Sequence, residues 1–449
     1  MKTRYFGTDG IRGPANGPYF TPEFIGQLTG GIARFLRSSR GADSPRIVIG
    51  RDTRESGAKI LAHLIDGFGK HRGECIDLGI VPTPAVSSVV LSSEADLGIS
   101  ITASHNPAED NGIKLFSAEG TKLSDAEEET IEALMLAPPP QEIEKNPEHS
   151  VTKRNGMQTY LQGAEILSTH LDLEGLTIVC DTANGATVHS TPVVLSQRGA
   201  QLVCIGDSPD GKNINAGCGS EHAESMAEMV VKHNAALGIA HDGDGDRVIF
   251  SDEKGAIVPG DQVLGIFALN GMRKQSLSES LLVTTIQSNR GLDLAIEKSG
   301  GKVERTDVGD RNVAERMRKL GASLGGESSG HIILHNYSPT GDGLLAALYM
   351  LRILQETGQT LSELRQAIPL LPQVTSALTV PEKIPLEECS NLQTERSLVE
   401  SEIGNTGRVL LRYSGTEPKL RFLVEATTVE RCNEFMAQLL EAAKIDLVP

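Results

Sequence analysis

ADLGISITASHNP (residues 95–107), AALGIAHDGDGDR (235–247) and ASLGGESSGH (322–331) share one pattern. Each stretch opens with A-x-L-G in a strand-like segment and leads within a few residues into a polar loop. In open α/β sheets, ligands bind beyond the carboxyl ends of the strands. The pattern therefore predicts three α/β units whose polar loops face one cleft.

The segments between these stretches alternate between helical and strand-like periodicity. Residues 21–36 and 56–71 have helical spacing, whereas RIVIG (46–50), LTIVCD (176–181) and SLLVTTIQ (280–287) are β-rich. This alternation is typical of βαβ units. The last 80 residues instead show three strand-like runs and a helix from residue 429. We expect three mixed-sheet α/β domains with helices on both faces, and a smaller C-terminal α+β domain, around a central cleft. The expected domains are 1–150, 151–254, 255–367 and 368–449, with the Pro- and Glu-rich segment 137–150 at the first boundary.

Composition excludes several classes of partner. The formal net charge is −17 and the pI is about 5.2, which disfavours nucleic acids and anionic membranes as partners. The sequence contains no apolar run long enough to span a bilayer and no signal-peptide pattern at its start. Its six cysteines are scattered without a C-x-x-C pair, as in a reduced protein. We expect a cytoplasmic protein.

The DGDGDR loop (242–247) is the sharpest chemical signal. Asp242, Asp244 and Asp246 can converge on one hard cation, and oxygen ligands favour Mg²⁺ or Ca²⁺ over zinc. With Glu253 they also match positions 1, 3, 5 and 12 of an EF-hand loop. Position 6 of that loop requires glycine but is Arg247 here, and both flanks are strand-like. We therefore predict a metal-binding loop between two strands. A solvated acidic turn is the other alternative.

Two further loops favour a phosphorylated ligand. RYSGTEPKLR (412–421) has two arginines around Ser-Gly-Thr, and such a loop can bind phosphate through backbone N–H groups, hydroxyls and guanidinium forks. A polar hairpin turn is the alternative. In GGESSGH (325–331), Glu327 and Ser329 could bind vicinal hydroxyls, and His331 titrates near neutrality. GTDGIRG (7–13) adds Arg12.

Ser104 gains significance from these other loops. Alone, a serine before His-Asn-Pro is more typical of a turn than of a nucleophile, and no G-x-S-x-G elbow is present. A metal loop, a phosphate site and a hydroxyl-binding loop together indicate phosphoryl transfer, which depends on positioning and charge neutralisation. Arg247 could neutralise the phosphoryl group. Lys114 and His331 are both candidates for the base that accepts a proton, and Lys114 could instead only balance phosphate charge.

Four segments, TASHNP, DGDGDR, GESSGH and RYSGTEP, resemble in order the four active-site loops of the α-D-phosphohexomutase superfamily. The resemblance covers essentially the whole chain. Within the superfamily, YFGTDGIRG at the start, NINAGCGS (213–220) and DVGDRNV (307–313) are most similar to the bacterial branch that acts on glucosamine phosphates.

The resemblance implies interconversion of glucosamine 6-phosphate and glucosamine 1-phosphate through a 1,6-bisphosphate, supplying UDP-N-acetylglucosamine synthesis. Ser104 would be phosphorylated and would hold one Mg²⁺ together with the three aspartates, and a hexose or hexosamine 1,6-bisphosphate would be the activator. Glu327 and Ser329 would contact sugar hydroxyls. The non-reacting phosphate would be bound by five residues: Arg412, Ser414, Gly415, Thr416 and Arg421.

One residue departs from the family pattern. Ser328 stands where the superfamily usually has glutamine, between the two sugar-contacting residues. The alternatives to an amino-sugar mutase are a phosphomannomutase/phosphoglucomutase and, more remotely, a non-catalytic Ca²⁺-binding protein. Small phosphosugars are the expected partners. The oligomeric state stays open, with a homodimer as one option.

Overall fold

A strand whose five residues are all buried, Leu97–Ile101, delivers the chain to Ser104. The computed structural model that contains it describes residues 5–7, 9–137, 151–414 and 417–448. This strand pairs in parallel with one neighbour and antiparallel with another, so it lies inside a mixed sheet. Burial on both faces explains its nearly continuous apolar sequence.

The first sheet, with its helices, is called unit 1. Its six strands lie in the order β1-β5-β4-β2-β3-β6. The elements in chain order are β1 (Ile11–Pro14), α1 (Pro22–Arg40), β2 (Arg46–Arg51), α2 (Gly57–Gly69), β3 (Glu74–Ile80), α3 (Thr83–Ser93), β4 (Leu97–Ile101), β5 (Asp110–Ser117), α4 (Asp125–Leu136), β6 (Val151–Lys153) and α5 (Gly156–Ser168). Residues 138–150 of the predicted boundary segment 137–150 lie outside the described residues, and β6, which follows them, pairs with β3.

Unit 2 has a five-stranded sheet with the order β11-β10-β9-β7-β8. Its elements are β7 (Thr177–Asp181), α6 (Thr191–Gln197), β8 (Gln201–Ile205), α7 (Ala223–His233), β9 (Leu237–His241), β10 (Val248–Ser251) and β11 (Ile257–Val258). The DGDGDR loop joins β9 to the antiparallel β10, as the strand-like flanks predicted.

Unit 3 has a four-stranded sheet with the order β13-β12-β14-β15. Its elements are α8 (Gly260–Arg273), β12 (Leu281–Thr285), α9 (Arg290–Lys298), β13 (Lys302–Thr306), α10 (Asp310–Leu320), β14 (Leu324–Gly326), β15 (Ile332–Leu334), α11 (Gly343–Thr357) and α12 (Leu361–Leu364). Unit 4 has a three-stranded antiparallel sheet with the order β16-β18-β17. It contains β16 (Gln373–Thr379), α13 (Ser390–Ile403), β17 (Arg408–Tyr413), β18 (Lys419–Glu425) and α14 (Val429–Leu447).

The hydrophobic cores separate unit 4 from the rest. One continuous cluster of buried apolar side chains runs through units 1, 2 and 3, from Val48 to Ile368. Unit 4 has its own cluster, formed by its sheet and two helices. Its junction with unit 3 is polar: Arg408 donates to the carbonyls of Ile286 (2.7 Å) and Ser288 (2.5 Å). The first three units are thus joined through a shared core, and the fourth through hydrogen bonds.

The predicted fold class is confirmed, with three mixed α/β units and a smaller α+β unit. The predicted strand and helix positions agree with the structure to within a few residues at each end, which is the usual variation of element ends. No helix among the described residues combines the length and the apolar character needed to cross a membrane.

Candidate active site

Three loops that follow the buried strands β4, β9 and β14 meet at one place. Ser104 lies in the loop after β4, the three aspartates lie after β9, and Glu327 to His331 lie after β14. Arg247 and His331 form an isolated antiparallel bridge between the second and third loops. The structure therefore brings together the loops that the repeated sequence pattern predicted to face one cleft.

Ser104 is buried and has an uncommon backbone conformation, with a φ of 54°. Its N–H donates to the hydroxyl of Thr102 (2.9 Å). Its hydroxyl donates to Oδ2 of Asp242 at 2.6 Å and lies 3.3 Å from Nδ1 of His105. Left-handed backbone in a non-glycine residue requires support from its surroundings. The Ser104 hydroxyl is thus aimed at the acidic loop of unit 2.

The three aspartates form a compact buried cluster whose ligand oxygens lie within 4.8 Å of one another. Among the described residues, Oδ1 of Asp244 and Oδ1 of Asp246 have no hydrogen-bond partner. Buried carboxylate oxygens without partners are rarely left so in a protein. An all-oxygen set of this kind suits a hard divalent cation such as Mg²⁺. Glu253, position 12 of the EF-hand spacing, instead accepts hydrogen bonds from Ser362.

Lys114 provides the counter-charge for this cluster. It lies on β5, directly opposite Ser100 of β4, and is buried. Its ammonium lies 2.8 Å from Oδ2 of Asp244, 3.0 Å from Oδ2 of Asp246 and 3.3 Å from Oδ2 of Asp9. Burial alone would lower the pKa of Lys114, but these carboxylates raise it well above its usual value. The ammonium thus donates hydrogen bonds to Asp244 and Asp246 and forms an ion pair with Asp9.

The pKa values of Asp242 and Asp246 are shifted in opposite directions. Burial, together with the neighbouring Asp246 and Asp244, raises the pKa of Asp242 well above its usual value. Burial also acts to raise the pKa of Asp246, but Lys114, His331 and Arg247 outweigh it and lower this pKa to about 2. Arg247 donates its backbone N–H to Oδ1 of Asp242 (3.2 Å). A cation bound by the cluster would remove the carboxylate repulsion that raises the pKa of Asp242.

The third loop places a histidine beside the cluster. Both ring nitrogens of the buried His331 lack a hydrogen-bond partner among the described residues. Its Nε2 lies 3.3 Å from Oδ2 of Asp310, close enough for an ion pair but not aligned as a hydrogen bond. Oε1 of Glu327 accepts the N–H of Gly309 (3.0 Å), and burial raises the pKa of this carboxyl. Ser329 is exposed.

Arg12 reaches the site from β1 through an ion-pair chain. It pairs with Asp9, and Asp9 also contacts Lys122, which in turn pairs with Asp310. Asp9 has its pKa held well below its usual range: burial opposes this, but Lys114, Lys122 and Arg12 outweigh burial. This chain links the N-terminal loop of unit 1 to α10 of unit 3 beside His331.

Unit 4 contributes a separate cationic cleft of about 460 Å³. Arg412 and Arg421 face each other across β17 and β18 and both line it. Burial and the charge of Arg421 lower the pKa of Arg412. Two guanidinium groups held side by side favour binding of an anion. Ser414 is buried and donates its N–H to the carbonyl of Lys419 (2.9 Å), whereas the predicted Gly415 and Thr416 lie outside the described residues.

The structure thus brings together Ser104, the three aspartates, Arg247, Glu327 and His331, whereas Ser329 is exposed and Arg412 and Arg421 line a separate cleft. Within the described residues, no hydrogen bond or ion pair joins Arg412, Ser414 or Arg421 to the Ser104 loop or the aspartates. Four residues of the site were missed by sequence reasoning: Asp9, Thr83, Lys122 and Asp310. Thr83, at the start of α3, donates to Oδ2 of Asp244 (2.6 Å). Asp9 and Asp310 lie in the quoted GTDGIRG and DVGDRNV segments, but the sequence around Thr83 and Lys122 gives no local signal.

Comparison with known sequences finds all four parts of one family. The alpha/beta/alpha domains I, II and III of phosphoglucomutase/phosphomannomutase match residues 3–141, 158–255 and 259–370, and the C-terminal domain matches 377–442. A protein of Syntrophotalea carbinolica named phosphoglucosamine mutase is 44% identical over 433 residues, covering 95% of this chain and 94% of that protein. One of Staphylococcus aureus with the same name is 41% identical over 450 residues, covering 98% of each.

Solved structures share the fold at lower identity. A phosphoglucomutase/phosphomannomutase family protein from Burkholderia thailandensis has a TM-score of 0.82 and 23% identity, covering 99% of this chain and 98% of its own. An N-acetylphosphoglucosamine mutase of Aspergillus fumigatus, solved with GlcNAc-6P and magnesium, has a TM-score of 0.70 and 18% identity, covering 100% and 96%. Both proteins therefore share the fold of this chain along nearly its whole length.

Proposed function

The chain belongs to the phosphoglucomutase/phosphomannomutase family, and we propose that it interconverts glucosamine 6-phosphate and glucosamine 1-phosphate through a phosphoserine at Ser104 and a 1,6-bisphosphate intermediate. The observation that carries the proposal is the 2.6 Å contact between the Ser104 hydroxyl and the carboxylate of Asp242 in a buried acidic cluster. The relatives named phosphoglucosamine mutase, at 41–44% identity, support the amino sugar as substrate.

Asp242, Asp244 and Asp246 would hold one Mg²⁺. Two of their oxygens accept no hydrogen bond among the described residues, and the oxygen-only donor set suits that ion; a related structure was solved with magnesium. When bound, Mg²⁺ supplies positive charge that stabilises the transferring phosphoryl group. The remaining chemistry would fall to side chains of the same loops and of β5.

Phosphoryl transfer moves one group between two oxygens. A sugar hydroxyl attacks the phosphorus, the bond from phosphorus to Oγ of Ser104 breaks, and the hydroxyl proton passes to a base. Lys114 is poorly placed as that base, because its ammonium donates hydrogen bonds to two buried carboxylates and its pKa is raised well above its usual value. Among the described residues the ring nitrogens of His331 make no hydrogen bond, although Nε2 lies 3.3 Å from Oδ2 of Asp310. We assign proton acceptance to His331, and charge balance to Lys114 and Arg247.

The third loop and the cleft of unit 4 would bind different parts of the substrate. Glu327 and Ser329 lie at the third loop, where they can bind sugar hydroxyls. The cleft of unit 4, lined by Arg412 and Arg421, would hold the non-reacting phosphate. Ser414, Gly415 and Thr416 follow Arg412 closely in the sequence and would contribute to the same phosphate site. A bisphosphate must turn over so that its second phosphate faces Ser104. A phosphate site on a unit with its own core can hold either phosphate in turn without joining the chemistry.

The test compares kcat/KM for the phosphates of glucosamine, glucose and mannose, with Mg²⁺ and a trace of hexose 1,6-bisphosphate. We expect a preference for glucosamine phosphate of roughly tenfold or more, about 1.4 kcal/mol of transition-state discrimination. A preference for glucose or mannose phosphate would contradict the amino-sugar assignment and make the Ser328→Gln variant the next comparison. Tight Ca²⁺ binding with no transferase activity on any of these sugars would contradict the mutase assignment itself.

A further inference from the structure

Two side chains from different units hold the backbone around Ser104. Arg54, in the loop between β2 and α2, donates through Nη2 to the carbonyl of Ser104 (3.1 Å) and to that of Asn106 (2.7 Å). Asn215, in unit 2, donates through Nδ2 to the same two carbonyls, at 2.8 Å and 2.9 Å. One carbonyl on each side of His105 is therefore held twice. We call Arg54 and Asn215 the carbonyl clamp.

Arg54 donates most of its side-chain hydrogen bonds to this loop. Its side chain is 0% exposed, and its Nε donates to the equally buried carboxylate of Asp52 (2.9 Å). Its Nη1 donates to two further carbonyls of the same loop, those of Pro107 and Asp110. A buried guanidinium has lost its hydrogen bonds to water, so each of its N–H donors needs an acceptor within the protein. Here the acceptors are the backbone of the Ser104 loop.

Asn215 reaches the loop across the boundary between units 1 and 2. Its backbone is itself left-handed, with a φ of 59°, and its N–H donates to the carbonyl of Ala183 (2.8 Å). The DGDGDR loop closes over the contact at Gly243, where a Cβ would lie 2.7 Å from the carbonyl oxygen of Ser104 and 2.9 Å from Nδ2 of Asn215. The asparagine, the serine loop and the aspartate loop thus touch at one point.

The clamp explains how Ser104 keeps its uncommon conformation. A non-glycine residue in the left-handed region is destabilised unless its surroundings hold it there. Four hydrogen bonds from the clamp fix the peptide groups around Ser104, and Thr102 fixes its N–H. From this backbone position the hydroxyl donates to Oδ2 of Asp242.

We propose that Asn215 is a positioning residue for phosphoryl transfer: together with Arg54 it holds the Ser104 backbone so that Oγ faces the aspartate cluster. Among the described residues, Asn215 makes no hydrogen bond to the cluster's carboxylates or to the hydroxyl of Ser104, so its action is through the two backbone carbonyls. The proposal rests on the proposed role of Ser104 as phosphate carrier. Because a displacement of about 1 Å at a reacting group can lower a rate roughly 100-fold, loss of the clamp should reduce turnover rather than substrate binding.

The decisive variant is Asn215→Asp, which keeps the size of the side chain but removes both N–H donors. Asn215→Ala removes the donors without adding charge. The matched control is Asn213→Asp, two residues away in the same loop, where the amide binds only Ser208 and Asp210. Each variant is assayed for kcat and KM with Mg²⁺ and glucose 1,6-bisphosphate, and for the single-turnover rate at which the bisphosphate phosphorylates Ser104. Thermal melting of each variant reports folding.

We expect Asn215→Ala to lower kcat and the single-turnover rate by the same factor, roughly 10- to 100-fold, with KM changed by less than about twofold. Asn215→Asp should be slower still, because its carboxylate would face two carbonyl oxygens. Asn213→Asp should retain the wild-type values. If Asn215→Asp is as active as wild type while Asn215→Ala is impaired, the side chain only fills space, and the proposal is overturned.

The proposal and the function it rests on fail in different ways. Wild-type protein that shows no mutase activity, or a Ser104→Ala variant that keeps it, refutes the phosphate-carrier role. Active wild type with unchanged Asn215→Ala kinetics refutes the clamp alone. If an Asn215 variant melts far below wild type, the Arg54→Lys variant is measured instead, because lysine keeps the positive charge but loses the guanidinium fork. An unchanged single-turnover rate in folded Arg54→Lys protein would overturn the proposal. A loss that matches the one expected for Asn215→Ala would support it.

Discussion

The hydroxyl of Ser104 donates a 2.6 Å hydrogen bond to Oδ2 of Asp242, a residue 138 positions later in the chain. The two residues belong to different units, and each lies in the loop that follows a buried strand. A serine turned toward an acidic cluster whose charge is balanced by Lys114 is an arrangement suited to phosphate carried near a divalent cation.

Metal binding should depend on the aspartate cluster and not on the EF-hand spacing. Removal of divalent cations with a chelator should abolish turnover, and Mg²⁺ should restore it. Asp242→Asn should raise the Mg²⁺ concentration for half-maximal activity by roughly tenfold or more, because it removes one charged ligand. Glu253→Gln is the control, since Glu253 binds Ser362 instead of facing the cluster. A larger increase in the Mg²⁺ concentration for half-maximal activity in the Glu253 variant than in the Asp242 variant would contradict the metal assignment.

Loss of His331 should slow the chemical step. The His331→Ala variant should lower kcat roughly 100- to 10,000-fold, the range expected for a general base. His335→Ala is the matched control, because His335 lies four residues later and is exposed. A Lys114→Met variant with normal Mg²⁺ dependence and a larger kcat loss than His331→Ala would reverse the roles assigned to these two residues.

Loss of Arg421 should weaken binding of the non-reacting phosphate. Arg421→Ala should raise KM for glucosamine 6-phosphate by roughly 10-fold or more, since a charged hydrogen bond to phosphate contributes about 1.5–3 kcal/mol. Because this phosphate does not react, we expect kcat to change less than KM. Arg431→Ala tests specificity: Arg431 lies on α14 of the same unit and pairs with Glu402 and Glu434. Equal effects of the two variants would argue against a phosphate site at β17 and β18.

Burial of Asp342 should make stability pH-dependent. Asp342 caps α11 and accepts hydrogen bonds from Leu345 N–H (3.0 Å) and the Tyr160 hydroxyl (2.8 Å), and burial raises its pKa to about 6. The unfolded chain, with a pKa near 3.9, releases this proton first, so ionisation destabilises the folded state as pH rises from about 4 to 6. The loss is nearly complete about one pH unit above this pKa and amounts to about 3 kcal/mol at most, since one pKa unit corresponds to about 1.4 kcal/mol.

The Asp342→Asn variant removes this titration and keeps an oxygen acceptor. Relative to wild type, its free energy of unfolding should increase by about 1–3 kcal/mol between pH 4 and pH 7.5, as measured by urea denaturation. The exposed Asp172→Asn provides the comparison, with no pH-dependent change expected. A constant difference between the Asp342 variant and wild type across this range would contradict a raised pKa in the folded state.

Local patterns in the sequence were enough for the main features of the site. Ser104, the three aspartates and His331 each follow a buried strand within a few residues, and such strand-then-loop patterns are visible without a structure. Parallel-type sheets bring the carboxyl ends of their strands to one edge, so convergence of these loops could be predicted. The strand-like flanks of DGDGDR also separated it from an EF-hand.

Contacts between distant segments could not be read from local patterns. Lys114 was a candidate from the sequence, but its position opposite Ser100 depends on the register of β5 with β4, and β5 was not predicted. Asn215 lies 111 residues from Ser104, and Lys122 lies 188 residues from Asp310. Each is an ordinary polar residue in its own neighbourhood. Their roles arise only when units 1, 2 and 3 pack around one core.

The most direct test of the account is mass spectrometry of the Ser104 peptide after incubation with Mg²⁺ and a hexose 1,6-bisphosphate. The account predicts that one phosphoryl group is gained on Ser104, and that adding glucosamine 6-phosphate removes it as glucosamine 1,6-bisphosphate forms. Ser104→Ala should gain no phosphate under the same conditions. Mutase turnover without any phosphate on Ser104, or a phosphate there that glucosamine 6-phosphate does not remove, would contradict it.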